Sequence, residues 1–312
     1  MDTATLLRNL ERPNKKVDVV LDTDAYNEID DQYAIAYMLC NPEKLNVKAI
    51  YAAPFYGAKA SSAKMGMEKS YDEIKKVLGL MKYTRLDNEI YKGSESFMSD
   101  DKIPVVSPAA EHLAKFAENY SPENPLYVIA IGAITNVASA ILLNPAITEN
   151  IVIVWLGGHA LHWGDCREFN LINDVSAARV VFGCGAPLVQ LPCFGVVTNF
   201  TISGAELEKW LLGKNDICTY LAQNTIDEAN EYANGKPWTR VIWDVTAVAW
   251  LIDGCFMDER IERSPVPTYD GNYAYEGNRH FYKYVYNINR DSLCDHLFHK
   301  LTSYSPPSLI TA

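Results

Sequence analysis

The chain has 312 residues, and its 28 Lys and Arg against 39 Asp and Glu give a formal net charge of −11. With 48% hydrophobic residues it has the composition of a folded globular protein, not of a disordered chain. The acidic balance argues against nucleic-acid and membrane partners, which need basic footprints, but it leaves room for a local acidic cluster that takes a cation.

Val17–Leu21 (VDVVL) reads as a buried strand. Asp30–Cys40 reads as the helix after it, with aspartates in the first turn where the helix dipole favours them. Val47–Ala53 is a second strand. Ser61–Leu80 carries Met67, Tyr71, Ile74, Val77 and Leu78 at helical spacing. Leu126–Ile131 (LYVIAI) and Ile151–Leu156 (IVIVWL) are too apolar for half-exposed strands. Strands apolar on both faces belong in a parallel sheet covered by helices. Asp174–Phe182 and Ala205–Leu212 read as further helices, with Leu188–Leu191 a short strand between them.

The stretch Ser264–Arg290 differs, being rich in Tyr, Gly, Asn and Pro. Within it His280–Ile288 alternates like an antiparallel strand or edge hairpin, and Ser292–Leu301 closes as a helix. No linker is visible. The expectation is an α/β fold: a single doubly wound domain over 1–312 with a mostly parallel central sheet flanked by helices. Its core would span about 17–255, with a C-terminal embellishment of a Tyr-rich hairpin and helix over about 256–312. Ligands in such sheets sit at the carboxyl ends of the strands. The seven cysteines are scattered and contain no CxxC pair, which points to a reducing compartment. No signal peptide and no run of about 18 apolar residues is read, so a cytoplasmic location is expected.

Val19–Asp31 (VVLDTDAYNEIDD) carries the chemistry. Asp22, Asp24, Glu28, Asp30 and Asp31 fall within ten residues, directly after an apolar strand. Asp22 and Asp24 share a strand face by the period of two, and Asp30 and Asp31 open the next helix. Carboxylates this crowded raise each other's pKa unless a cation or a hydrogen-bond network holds them. A hard divalent cation with oxygen ligands is the simplest solution. The plainer alternative is a solvated acidic turn followed by a helix cap.

VLDTDAYNEIDDQYAIAYML resembles the inosine–uridine-preferring nucleoside hydrolases, whose N-terminal motif is DxDxxxDD; here the spacing is DxDxxxxxDD. Further segments resemble that family in order: Ile90-Tyr91-Lys92-Gly93, Ile131 to Asn136, Trp155-Leu156-Gly157-Gly158, Glu168-Phe169-Asn170 with Asp174 and Ala177-Ala178, and Trp243-Asp244. The resemblance implies hydrolysis of the N-glycosidic bond of ribonucleosides with Ca2+ as cofactor. It implies that Asp24 is the general base for the attacking water and also a calcium ligand. Asp31, Asp244 and the backbone carbonyl of Ile131 would complete the protein ligands. Asp30, Glu168, Asn170 and Asp244 would hold the ribose hydroxyls. A homodimer or homotetramer is expected on the same ground.

Three departures stand out. The loop after Asp24 is longer, so Asn27 and Glu28 either contact the water or sugar or simply shape the turn. The family's asparagine after the second strand has no match; Phe55 and Tyr56 stand there and could wall the pocket or pack in the core. Trp243 replaces a histidine that protonates the leaving base in some members, and can stack on a purine. His162 and Trp163 are alternative pocket residues, and Arg279 and His280 more distant ones. Two other readings compete. One is a non-catalytic or differently specific relative that binds a ribosyl compound. The other is a haloacid-dehalogenase-like phosphohydrolase with Asp22 as nucleophile.

Overall fold

A computed structural model describes residues 1–306. The strands are β1 (Val17–Thr23), β2 (Leu45–Ala52), β3 (Ile90–Lys92), β4 (Leu126–Ala130), β5 (Ile151–Leu156), β6 (Leu188–Leu191), β7 (Thr201–Ser203), β8 (Thr239–Val241), β9 (Met257–Arg263), β10 (Val266–Pro267), β11 (Tyr273–Ala274) and β12 (Phe281–Ile288). The helices are α1 (Thr3–Asn9), α2 (Asp31–Leu39), α3 (Ala63–Leu80), α4 (Pro108–Phe116), α5 (Thr135–Leu143), α6 (Phe169–Asn173), α7 (Val175–Gly183), α8 (Gly204–Trp210), α9 (Asp216–Ala233), α10 (Val245–Trp250) and α11 (Arg290–Thr302).

Eight strands form one sheet in the order β3-β2-β1-β4-β5-β6-β12-β9. Every neighbouring pair is parallel except β12 with β9. β4 and β5 are buried along their whole length, as their unbroken apolar runs require. Helices cover both faces, and the core divides into two layers on either side of the sheet. The helix starts are capped as the sequence specifies. Ser62 accepts the Met65 amide at 3.1 Å ahead of α3, and Asp174 accepts the Ala177 amide at 2.9 Å ahead of α7. All nine residues of α2 are buried, so it lacks the amphipathic stripe of a surface helix.

The C-terminal segment is more than an appendage. β12 pairs with β6 in parallel and β9 pairs antiparallel with β12, so residues 257–288 complete the central sheet. β12 follows the sheet's own geometry because Tyr282, Tyr284 and Val285 are buried in its layers. Among the described residues no helix is long and apolar enough to cross a membrane.

Candidate active site

The sheet order reverses at β1 and β4. The crevice beyond the carboxyl ends of those two strands is where an open α/β sheet takes its ligand. β1 ends at Thr23 and hands over to Asp24, and β4 is followed by Ile131 and Gly132. α2 starts with Asp30 at its cap position and Asp31 in its first turn, and α10 starts from Asp244. α2 and α10 pack against each other, which brings their amino ends together beside Asp24.

Asp30, Asp31 and Asp244 each offer a carboxylate oxygen within 4.8 Å of the other two. Asp24 lies outside that group of three but lines the same cavity, and all four are at most 4% exposed. The internal partners are few. Asp31 Oδ1 accepts from Thr23 Oγ1 at 2.5 Å, and Asp30 Oδ2 accepts the Asp244 amide at 3.3 Å. Asp24 Oδ2 is buried and has no partner among the described residues. Burial, with repulsion between neighbouring carboxylates, raises Asp24, Asp30 and Asp244 well above the ordinary range. Burial lifts Asp31 to about 7 and Glu168 to about 7. A bound cation removes that penalty. The donor set of carboxylate and carbonyl oxygens suits a hard divalent ion, and the orphaned oxygen of Asp24 is a ligand atom without a protein partner. Gly132 keeps room for this carboxylate, since a Cβ there would stand 2.8 Å from Asp24 Oδ1.

The remaining polar residues divide by what their side chains already hold. Glu168 caps α6, accepting the amides of Gly158 at 2.9 Å, Asn170 at 2.8 Å and Leu171 at 3.0 Å, while it stays on the cavity wall. Asn170 donates both amide hydrogens, to the carbonyls of Ile131 at 3.2 Å and Leu156 at 3.0 Å. Its Oδ1 is left as an acceptor, so it does not face the cavity as both donor and acceptor. Asn27 and Glu28 of the long loop line the cavity, and Glu28 pairs with Arg240 at 2.9 Å.

Asp22 does not join the others. Its carboxylate is fully buried outside the cavity, with Oδ1 accepting from Asn136 Nδ2 at 2.8 Å. Asn136 in turn accepts from the Ser94 amide and hydroxyl, both at 2.8 Å. A nucleophile needs access to substrate, so the phosphohydrolase alternative built on Asp22 falls.

The same cavity, about 350 Å³ in volume, is also lined by aromatic side chains. Trp243 lines it and sits 5.8 Å from Phe194, whose ring stacks on His159 at 4.6 Å and 16°. Six residues considered for the pocket lie elsewhere. His162 is exposed, and Trp163 is 48% exposed, with its ring near those of His159 and Phe194 and not on the cavity wall. The loop after Gly158 is pinned by Ala160 donating to the Phe194 carbonyl, then turns outward, so His159 and not His162 reaches the cavity. Phe55 is fully buried beneath α3, where Gly66 permits close backbone approach. Tyr56 is 59% exposed, and its amide is held by Asn173. Arg279 and His280 lie in a different surface cleft. Phe169 was read only as part of the Glu168-Phe169-Asn170 motif, and His159, Cys193 and Phe194 were not singled out in sequence; the last two follow the carboxyl end of β6, the position that marks ligand residues in this kind of sheet.

Comparison with known proteins identifies the family and the fold. The family model for inosine-uridine preferring nucleoside hydrolases matches residues 19–285. A pyrimidine-specific ribonucleoside hydrolase of Salmonella typhimurium is 27% identical over 262 residues, covering 75% of this chain and 79% of the relative. Among solved structures, a plant nucleoside hydrolase superposes with a TM-score of 0.74 at 18% identity, covering 93% of this chain and 100% of that one. A purine-preferring ribonucleoside hydrolase from Gardnerella vaginalis gives a TM-score of 0.71 at 18% identity, covering 91% of this chain and 98% of the other. At that identity the structural likenesses speak to the fold.

Proposed function

This chain belongs to the inosine-uridine preferring nucleoside hydrolase family and is a ribonucleoside N-glycosyl hydrolase; from that premise we propose that it acts on purine ribonucleosides with a calcium ion at the aspartate cluster. The observation that carries this reading is one cavity lined by two unlike sets of side chains. One set is Asp24, Asp30, Asp31 and Asp244, all buried, with an oxygen of Asp24 unpartnered. The other is the aromatic group of Trp243, Phe194 and His159.

In this reading Asp24, Asp31, Asp244 and the Ile131 carbonyl would hold the ion, which when bound would supply the positive charge that lowers the pKa of an attacking water. Asp24 takes the proton of the water as its oxygen approaches the anomeric carbon. The C–N bond breaks with its electron pair leaving on the base, so positive charge develops on the ribose ring; the departed base takes up a proton from water and Asp24 returns its own proton to water. The surrounding buried carboxylates stabilise that positive charge. Asp30, Glu168 and Asn170 Oδ1 are acceptors for ribose hydroxyls and fix the sugar against the water. Trp243 stacks on the base, and a larger ring gains more from that face.

The test is a panel of inosine, guanosine, adenosine, uridine and cytidine, with reducing sugar measured in the presence of calcium. Release from the purine nucleosides ahead of uridine and cytidine supports the reading. Preference for uridine and cytidine would refute purine selection, and release from none would refute turnover of ribonucleosides.

A further inference from the structure

Around the aspartate cluster the cavity offers acceptors: the carboxylates, the Ile131 carbonyl and the free oxygen of Asn170. A base that departs with the electron pair of the glycosidic bond needs the opposite, a hydrogen-bond donor on its own side. Trp243 also lines the cavity, and its ring offers a stacking surface but no group that can protonate a base.

His159 meets the need from a different strand. It follows the Gly157-Gly158 end of β5, lines the cavity and is 5% exposed. The backbone around it is held at three consecutive points. Cys193 donates to the Gly158 carbonyl at 2.8 Å, Phe194 donates to His159 Nδ1 at 3.3 Å, and Ala160 donates to the Phe194 carbonyl at 2.9 Å. The ring also stacks on one face against Phe194. Because Nδ1 accepts a backbone hydrogen, the neutral ring carries its proton on Nε2. Burial lowers the ring's pKa and keeps it in that neutral form. Nε2 has no hydrogen-bond partner among the described residues; its nearest carboxylate, Asp165 Oδ1, is 4.0 Å away.

We propose that His159 reads the leaving base, donating Nε2–H to a ring nitrogen or carbonyl acceptor beside the stacked ring. The donor is fixed in place before substrate arrives, and its hydrogen bond strengthens as negative charge builds on the departing base. No proton changes hands at His159, so the ring ends the reaction as it began. This assignment rests on the hydrolase reading above.

The experiment compares wild type, H159F and H159L on inosine and on 4-nitrophenyl β-D-ribofuranoside, whose nitrophenolate leaves without help from a donor. A hydrogen bond to a group gaining charge predicts that kcat/KM for inosine falls about 10- to 100-fold in both variants. Cleavage of the nitrophenyl riboside should change by less than about threefold. H159Q, which returns an N–H near the same reach, should recover part of the inosine activity. Equal losses on both substrates in H159F and H159L, or no loss on inosine, would overturn the role of His159. Cleavage of neither compound by wild type would overturn the hydrolysis reading and this role with it.

Discussion

Asp24 stands one residue beyond β1 with one carboxylate oxygen unpartnered and the other beside a glycine. If it takes the proton of the attacking water, Asp24→Asn should lower kcat by about 10²- to 10⁴-fold, the usual range for a positioned base. The same change removes a buried charge that the metal-free chain does not compensate. Metal-free D24N should therefore unfold at a temperature no lower than metal-free wild type, by calorimetry. Near-normal turnover in D24N would sink the assignment of the base. Trp243→Ala should cost purine nucleosides about 5- to 100-fold in kcat/KM if the indole stacks on the base, and leave the nitrophenyl riboside much less affected. These aspartates were legible in the sequence because their spacing at a strand end and helix start has few structural explanations. His159 and Phe194 were not. A lone ring in a loop carries no spacing signal, and only the backbone pinning at Ala160 decides which of His159 and His162 turns inward.

At the scale of elements, the site is assembled by two strand ends and two helix starts. β1 and β4 bring Asp24 and Ile131 side by side, and the packing of α2 on α10 brings Asp30 and Asp31 to Asp244, more than 200 residues away in the chain. The turn after β4 tolerates no side chain toward Asp24. Gly132→Ala should push the carboxylate aside, lowering kcat at least about tenfold in a steady-state assay, because small misplacements of a reacting group are costly. Its backbone dihedrals do not require glycine, so unfolding should shift only slightly; unchanged kcat would show that the carboxylate has room to spare. The buried strands of the parallel sheet were readable from their unbroken apolar runs, and α3 from its period. α5, α9 and the placement of β12 against β6 were not read. α5 is almost wholly buried and so lacks a polar face, and the pairing of β12 depends on contacts that no local pattern encodes.

For the whole molecule, the net charge of −11 is partly concentrated in one place. In the metal-free chain burial raises Asp22 and Asp31 to about 7 each and Glu168 to about 7. An unfolded chain releases those protons near pH 4. Between about pH 4 and 7 the folded state thus holds protons that the unfolded state has lost, and these groups make stability fall as pH rises through that window. A cation that replaces the protons of Asp31 and the aspartates beside it opposes the trend. Calcium should raise the unfolding temperature more at pH 7.5 than at pH 5; equal shifts at both would contradict a carboxylate cluster that exchanges protons for the ion. The account as a whole is tested most directly by ribose release from inosine, measured on protein stripped with a chelator and then titrated with calcium. It predicts negligible release from the stripped protein and saturable recovery on adding calcium. Full activity in the stripped protein, or none after calcium is restored, would contradict it.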